Sequence, residues 1–348
     1  MQRSSWERSL RVAAGLAVSA AALWLTLRNR DLGAIWRAAR AADPRYLAAY
    51  LAILVASHFL RAARWSLLLE PSARIPFARV NAVSAVGFMA TLILPLRLGE
   101  LVRPALVADP HEVPLPAALS TVIVERVVDG LFSALVLVGT LPFLPSTAPG
   151  VALLRAGGWA VFFAFAGAVA FLAIAAANGA AAIRFAHLAL DPLSPRVAAR
   201  VSAVATTFVE GLRRLPRRRG LACFLALTVV FWALGGWSIA VLAQGFGFGL
   251  SSLQAFTVLG VLSVGMMIPA GPAMLGTFQA SAVLGLSLVA PGALAGAQGL
   301  AFANVLWGAQ LLQVVAMGVP FLFSRHVDLH RIGRQLGPVR TAEALPRE

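Results

Sequence analysis

Apolar residues run through this chain in stretches of twenty or so, separated by short segments rich in arginine. A helix needs about 20 mostly apolar residues to cross a bilayer. The runs 10–27, 46–69, 117–141, 157–178, 221–243 and 298–323 meet that requirement. Arg3, Arg8 and Arg11 precede the apolar stretch from Val12 to Leu27, and its small residues Ala20, Ala21 and Ala22 fall mid-run, so an uncleaved span is expected rather than a signal peptide. Two more apolar stretches are broken. Residues 77–108 contain Leu94-Pro95-Leu96-Arg97-Leu98-Gly99-Glu100-Leu101-Val102-Arg103; residues 253–290 contain Ile268-Pro269-Ala270-Gly271-Pro272, a break without charge. Interrupted hydrophobic segments in matching positions of two halves point to a transporter-type binding site. Non-helical backbone at membrane depth is tolerated only when buried in protein or lining a polar cavity.

The expected fold is an all-α polytopic membrane protein with six transmembrane helices and two re-entrant helical hairpins related as an inverted repeat. One integral-membrane domain covers 1–330. It divides into a first half, 1–183, a cytoplasmic amphipathic linker, 184–219, and a second half, 220–324; a cytoplasmic tail, 331–348, follows. In the linker Val197, Val201, Val204, Phe208, Leu212 and Leu215 repeat at helical spacing beside an arginine cluster, as in a helix lying on a membrane surface.

Composition agrees. Hydrophobic residues make up 59% and charged residues 12%, with mean hydropathy +0.82, against about 25% charged in soluble domains. The net charge of +15 comes from arginine alone, since the chain has no lysine. The arginines sit between apolar runs, the distribution the positive-inside bias produces, and no basic face with interleaved aromatics marks a nucleic-acid module. The eight arginines of 184–219 and the five of 325–348 place both segments in the cytoplasm, and loop 142–156, with Arg155 alone, outside. A re-entrant 77–108 keeps the N-terminus inside; a full span over 77–96 turns it outward. The arginine distribution leaves both open. The single Cys223 lies in an apolar run and reads as a small buried hydrophobe.

Charges within the apolar runs are the candidate chemistry, because each costs about 2.5–3.5 kcal/mol to insert. Arg97, Glu100 and Arg103 are spaced three apart, so Glu100 and Arg103 share a helix face. Pro95 and Gly99 let the backbone turn, and Gly99 permits close approach of a neighbour. Glu125, Arg126 and Asp129 follow on the next helix, whereas 220–324 contains no Asp, Glu, Lys or Arg. Two readings stay open: an ion-pair lock between hairpin and helix, or an arginine fork offered to a lipid phosphate. Arg61, Arg64 and Trp65 close the second span, where snorkelling interfacial anchors are favoured over headgroup contact. Asn304, Gln310 and Gln313 in the last span read as helix-linking amides. His111-Glu112 and His326-x-Asp328-x-His330 lack a supporting cluster, so no metal is expected. No Walker A loop, HExxH motif or nucleophile elbow is present, so neither a cofactor nor enzymatic activity is expected.

In order along the chain, Arg61-x-x-Arg64-Trp65-x-x-Leu68-Leu69, Leu94-Pro95-x-Arg97-x-Gly99-Glu100-x-x-Arg103 and Glu125-Arg126-x-x-Asp129, with a looser match from Pro269 through Gly271 to Gly276, resemble the lysylphosphatidylglycerol synthase transmembrane-region family, also called flippase-like. The resemblance implies a domain that moves lipids across a bacterial inner membrane. In bifunctional relatives it flips aminoacylated phosphatidylglycerol made by a soluble C-terminal domain. Here the chain ends at Glu348, so synthase activity is expected to be absent. Relatives tend to carry an acid after the second break and an arginine in the last span, where this chain has Gln279 and Asn304.

The functional expectation is lipid flipping. Arg97 and Arg103 engage a headgroup phosphate, Glu100 and Asp129 position them, Glu125 and Arg126 complete the cluster, and Pro95, Gly99, Pro269, Gly271 and Gly276 shape the hairpins. The expected partners are membrane lipids and a separately encoded lipid-modifying enzyme, with no nucleic acid. The alternative is a non-catalytic subunit that presents a lipid to such an enzyme.

Overall fold

The computed structural model describes residues 31–71, 74–94, 99–109, 113–144, 151–179, 209–213, 215–216, 218–268, 271–290, 296–324 and 326–328. The first expected span, 10–27, Pro95, Arg97, Pro269, His111-Glu112, most of the 184–219 linker and the 331–348 tail lie outside them.

Ten helices organise the described residues. They are α1 (Leu32–Arg40), α2 (Pro44–Leu69), α3 (Phe77–Ile93), α4 (Val102–Val107), α5 (Leu115–Thr140), α6 (Val151–Ala177), α7 (Arg218–Gly245), α8 (Ser252–Gly265), α9 (Thr277–Val289) and α10 (Ala297–Leu322). Local chemistry sets several starts. Asp31 caps α1, accepting from the Gly33 amide, and its exposed carboxyl is held below the usual range by the Ala34 and Gly33 amides. Asp43 caps α2 ahead of Pro44, and Ser251 with Gln254 forms a capping box on α8. Gly276, at φ +88°, begins α9, and the Gln279 side chain returns to accept from its amide at 2.7 Å.

The protein is a polytopic all-helical bundle. α2, α6, α7, residues 272–289 and α10 are long and apolar enough to cross a membrane. The 26-residue α5 matches them at about 39 Å, with Glu125, Arg126 and Asp129 at its middle. Residues 272–289 are broken near their start by Ala273 and Met274, at φ +56° and +52°. The regular part, α9, is about 20 Å long. It returns to where α8 began, because Gln254 Nε2 donates to the Val289 carbonyl at 3.1 Å.

α2 and α7 run antiparallel. The Asp43 amide donates to the Gly245 carbonyl at 2.8 Å, and Leu68 near the other end of α2 packs with Phe224 near the start of α7. The hairpin α3–α4 opens at the end where α2 finishes: Leu69 of α2, Val80 of α3, Val107 of α4 and Ala117 of α5 share one core. The hairpin α8–α9 opens at the opposite end, where α7 finishes and where Gln298 of α10 donates to the Phe246 carbonyl at 2.7 Å. Exchanging the halves maps the packing onto itself: α3 rests on α10 as α8 rests on α5, and α4 meets α5 as α9 meets α10. Opposed hairpins and exchanged packing are the geometry of an inverted repeat.

The described end of the linker has two faces, with Glu210 and Arg213 exposed and Val209 and Leu212 turned inward. Val209 and Leu212 are buried among α2, α5, α6 and α7. Cys223 is exposed on α7 rather than buried.

Candidate substrate site

The site forms where α2, α3, α5, α7 and α10 converge. α5 places Glu125, Arg126 and Asp129 on one turn. The Glu125 carboxylate is fully buried; Arg103 reaches it from α4 at 2.9 Å and Arg126 from its own helix at 2.9 Å. Arg126 also lies 3.4 Å from Asp129, whose other oxygen accepts from Arg64 of α2 at 2.6 Å. A buried charge survives only when paired and hydrogen-bonded, and this chain of pairs meets that condition across three elements.

Aromatic faces carry the rest of the guanidinium surface. Arg103 lies 4.2 Å from the Trp65 ring centroid and 4.7 Å from that of Phe88. Arg61 lies 3.6 Å from Phe88 on its other flank and 5.9 Å from Phe231, and Arg64 sits between Phe224 and Phe231 at 5.1 and 5.2 Å. Trp65 is fully buried and donates to Thr121 Oγ1 at 3.0 Å. Arg64 and Trp65 are therefore internal to the bundle and not interfacial anchors. Arg64 is drawn in by Asp129; snorkelling would leave that carboxylate with only the longer contact to Arg126.

Glycines make the approach possible. The Gly99 backbone lies against the Ala90–Thr91 backbone of α3, where any Cβ would overlap main-chain atoms. Gly87 of α3 leaves the space through which the stem of Arg103 passes toward Glu125.

A cavity of about 280 Å³ opens beside the cluster. Arg61, Arg126, Glu100 and His58 line it from the first half, and Ser238, Gln310 and Gln313 from the second. Its floor combines Phe88, Phe231, Leu262 and Met274, so both hairpins contribute. The side chain of Arg126 is 29% exposed and that of Arg103 only 3%, which separates their roles: Arg126 faces the cavity and Arg103 does not. The expectation that Arg103 offers its fork to a ligand gives way to a lock, with Arg103 held by Glu125, Trp65 and Phe88. Arg61 takes the open position. It makes no ion pair with a described carboxylate, and its Nε is buried without an acceptor among the described residues. Gly271 and Gly276 flank the turn of the second hairpin that brings Met274 to the cavity.

Gln279 Nε2 donates to Asn304 Oδ1 at 3.3 Å, so the two amides that stand where relatives tend to carry charges form a neutral pair. His58, with Nε2 3.1 Å from Asn81 Oδ1, and the aromatic platform of Phe88 and Phe231 escaped the sequence reading. A histidine inside an apolar run is a usable signal. The phenylalanines carry none, because only the fold places them under arginines.

The fold and site define a polytopic membrane protein with a charged, partly occluded cavity between two helical hairpins. The chain belongs to the family described as Lysylphosphatidylglycerol synthase TM region, whose model matches residues 12–333. No curated protein matches it. Membership links the protein to lipid handling at a membrane and is consistent with a non-catalytic membrane domain. Among the described residues no group of three His, Cys, Asp or Glu side chains is placed to hold a metal ion.

Proposed function

We propose that this protein binds the phosphate of an anionic membrane lipid in the central cavity and carries the headgroup across the bilayer between the two hairpins. The observation that carries the reading is Arg61. Among the described residues, Arg64, Arg103 and Arg126 are held by Glu125 and Asp129, and Arg61, which lines the cavity, makes no ion pair with a described carboxylate. A lipid phosphate supplies acceptors matched to a guanidinium fork, and the neighbouring Arg126 adds a second, partly exposed donor. With a liquid-water volume of about 30 Å³ per molecule, the cavity equals roughly nine waters. That suits a headgroup whose acyl chains stay in the bilayer.

Hairpins that open to opposite ends offer a route by which the cavity faces each side in turn. The end carrying Arg74, Arg79, Arg213, Arg218 and Arg219 is assigned to the cytoplasm by the positive-inside bias, in a bacterial inner membrane. No nucleotide motif supplies energy.

The test is reconstitution in vesicles with fluorescent phospholipids, scoring the pool protected from an added membrane-impermeant quencher. Wild type is expected to exchange anionic lipid between leaflets, and Arg61→Ala and Arg126→Gln to slow it by about tenfold or more. Variants that flip lipid at the wild-type rate would sink the reading. A protein that binds lipid and moves none would support instead the subunit that presents lipid to a separate enzyme.

A further inference from the structure

His58 lies near the middle of α2, is buried, and lines the cavity without a part in the chain of ion pairs. An ionisable side chain at that depth of a membrane helix marks a substrate or proton path. Its ring is held in place. Phe59 and Phe88 meet it edge to face, at 5.5 and 5.6 Å between centroids. Asn81 Oδ1, an acceptor, lies 3.1 Å from Nε2. Nε2 therefore carries the hydrogen, and Nδ1 holds the lone pair of the neutral ring. Nδ1 makes no hydrogen bond among the described residues.

The Phe88 ring also carries Arg61, whose guanidinium carbon lies 3.6 Å from its centroid. His58 and Arg61 are three apart on α2 and share a helix face. A phosphate held by the Arg61 fork therefore sits beside the imidazole. The charged groups around the ring come from few elements. α2 presents Arg61, the turn at 99–101 presents Glu100, α4 presents Arg103, and α5 presents Arg126 with Glu125 and Asp129 behind it. α3 presents the neutral Asn81 and Phe88, and 220–324, which supplies the opposite wall, contains no Asp, Glu, Lys or Arg. No carboxylate among the described residues forms an ion pair with the ring. What enters the cavity therefore decides how well Nδ1 holds a proton. A bound phosphate brings a negative charge and an acceptor for Nδ1–H, and both favour the imidazolium. By linkage, a proton on His58 strengthens phosphate binding by the same factor.

We propose that His58 is a proton-binding site and that the protein moves a proton together with each anionic lipid. The proton comes from water on the side to which the cavity is open and binds Nδ1. It returns to water from Nδ1 once the cavity faces the other side. A phosphodiester headgroup with no other charge crosses with its proton as a neutral pair, so a pH gradient drives the step and a membrane potential does not. The proposal rests on the lipid-transport reading above and names its driving force.

The experiment reconstitutes the full chain in vesicles with fluorescent phosphatidylglycerol and imposes a pH gradient of about one unit, with protein-free vesicles as the baseline. Wild type is expected to enrich the lipid in the leaflet on the alkaline side by up to about tenfold, the limit for one proton per lipid. His58→Gln is expected to lose the enrichment. As a second reading, phosphatidylglycerol added to the detergent-solubilised protein in weak buffer is expected to alkalinise the solution with wild type and not with His58→Gln.

An even distribution in wild type overturns the proposal without any variant, so a His58→Gln protein that fails to fold leaves the test decisive. Enrichment that survives in His58→Gln and disappears in Glu100→Gln assigns the proton to the carboxylate and overturns it too. So does equal alkalinisation by wild type and His58→Gln. Arg61-dependent exchange with an even distribution leaves the lipid-transport reading standing. Absence of exchange in wild type removes both.

Discussion

Arg103 donates to Glu125 at 2.9 Å with both side chains buried, and this contact ties the first hairpin to the helix that follows it. Removing Glu125 leaves the buried Arg103 without its carboxylate, a loss of about 3–5 kcal/mol, and removing Arg103 leaves Glu125 with Arg126 alone. Glu125→Ala and Arg103→Ala are each expected to lower the unfolding temperature in detergent sharply. The double variant Arg103→Met with Glu125→Gln is expected to regain part of the loss. Additive losses in that thermal-shift cycle would show that the pair is not a unit.

Gly99 has no room for a methyl group against the Ala90–Thr91 backbone. Gly99→Ala is expected to push the turn at 99–101 off α3 and to reduce both stability and lipid exchange, although it adds no charge and removes no contact. Wild-type melting and transport in Gly99→Ala would contradict the close approach.

The neutral Gln279–Asn304 pair makes a charge prediction. Gln279 is 1% exposed, so Gln279→Glu alone places an uncompensated carboxylate in the core, with a penalty of several kcal/mol. Gln279→Glu combined with Asn304→Arg is expected to recover folded yield relative to Gln279→Glu. Size-exclusion profiles and thermal denaturation decide it; a double variant worse than the single one refutes the pairing.

Ala273 adopts φ +56°, and its carbonyl accepts from Trp307 Nε1 at 2.8 Å. The left-handed region costs a non-glycine residue about 1–2 kcal/mol. Ala273→Gly is expected to stabilise the second hairpin by up to about 1 kcal/mol, whereas Trp307→Phe releases the turn and destabilises it. Hydrogen exchange across 271–276 reads both effects, and faster exchange in Ala273→Gly than in wild type would contradict the strain.

The long spans were legible because burying apolar residues in lipid needs length and hydrophobicity, and both are linear properties of a chain. Residues 46–69 and 298–323 match α2 and α10 closely. The two breaks were legible for the same reason, since proline and glycine interrupt a helix locally. The hidden part was which charge meets which. Arg64 looked like an anchor at a helix end, yet it is buried because Asp129, 65 positions away, lies at 2.6 Å.

The sequence by itself determined the class: an apolar chain with asymmetric arginines, two broken segments, and no Asp, Glu, Lys or Arg from 220 to 324. Those features follow from composition and local order. Only the tertiary structure decided that Arg103 is spent on Glu125 while Arg61 and Arg126 face the cavity. That division depends on distances between α2, α4 and α5. No spacing along the chain encodes them, because close packing and the need to pair buried charges act between elements.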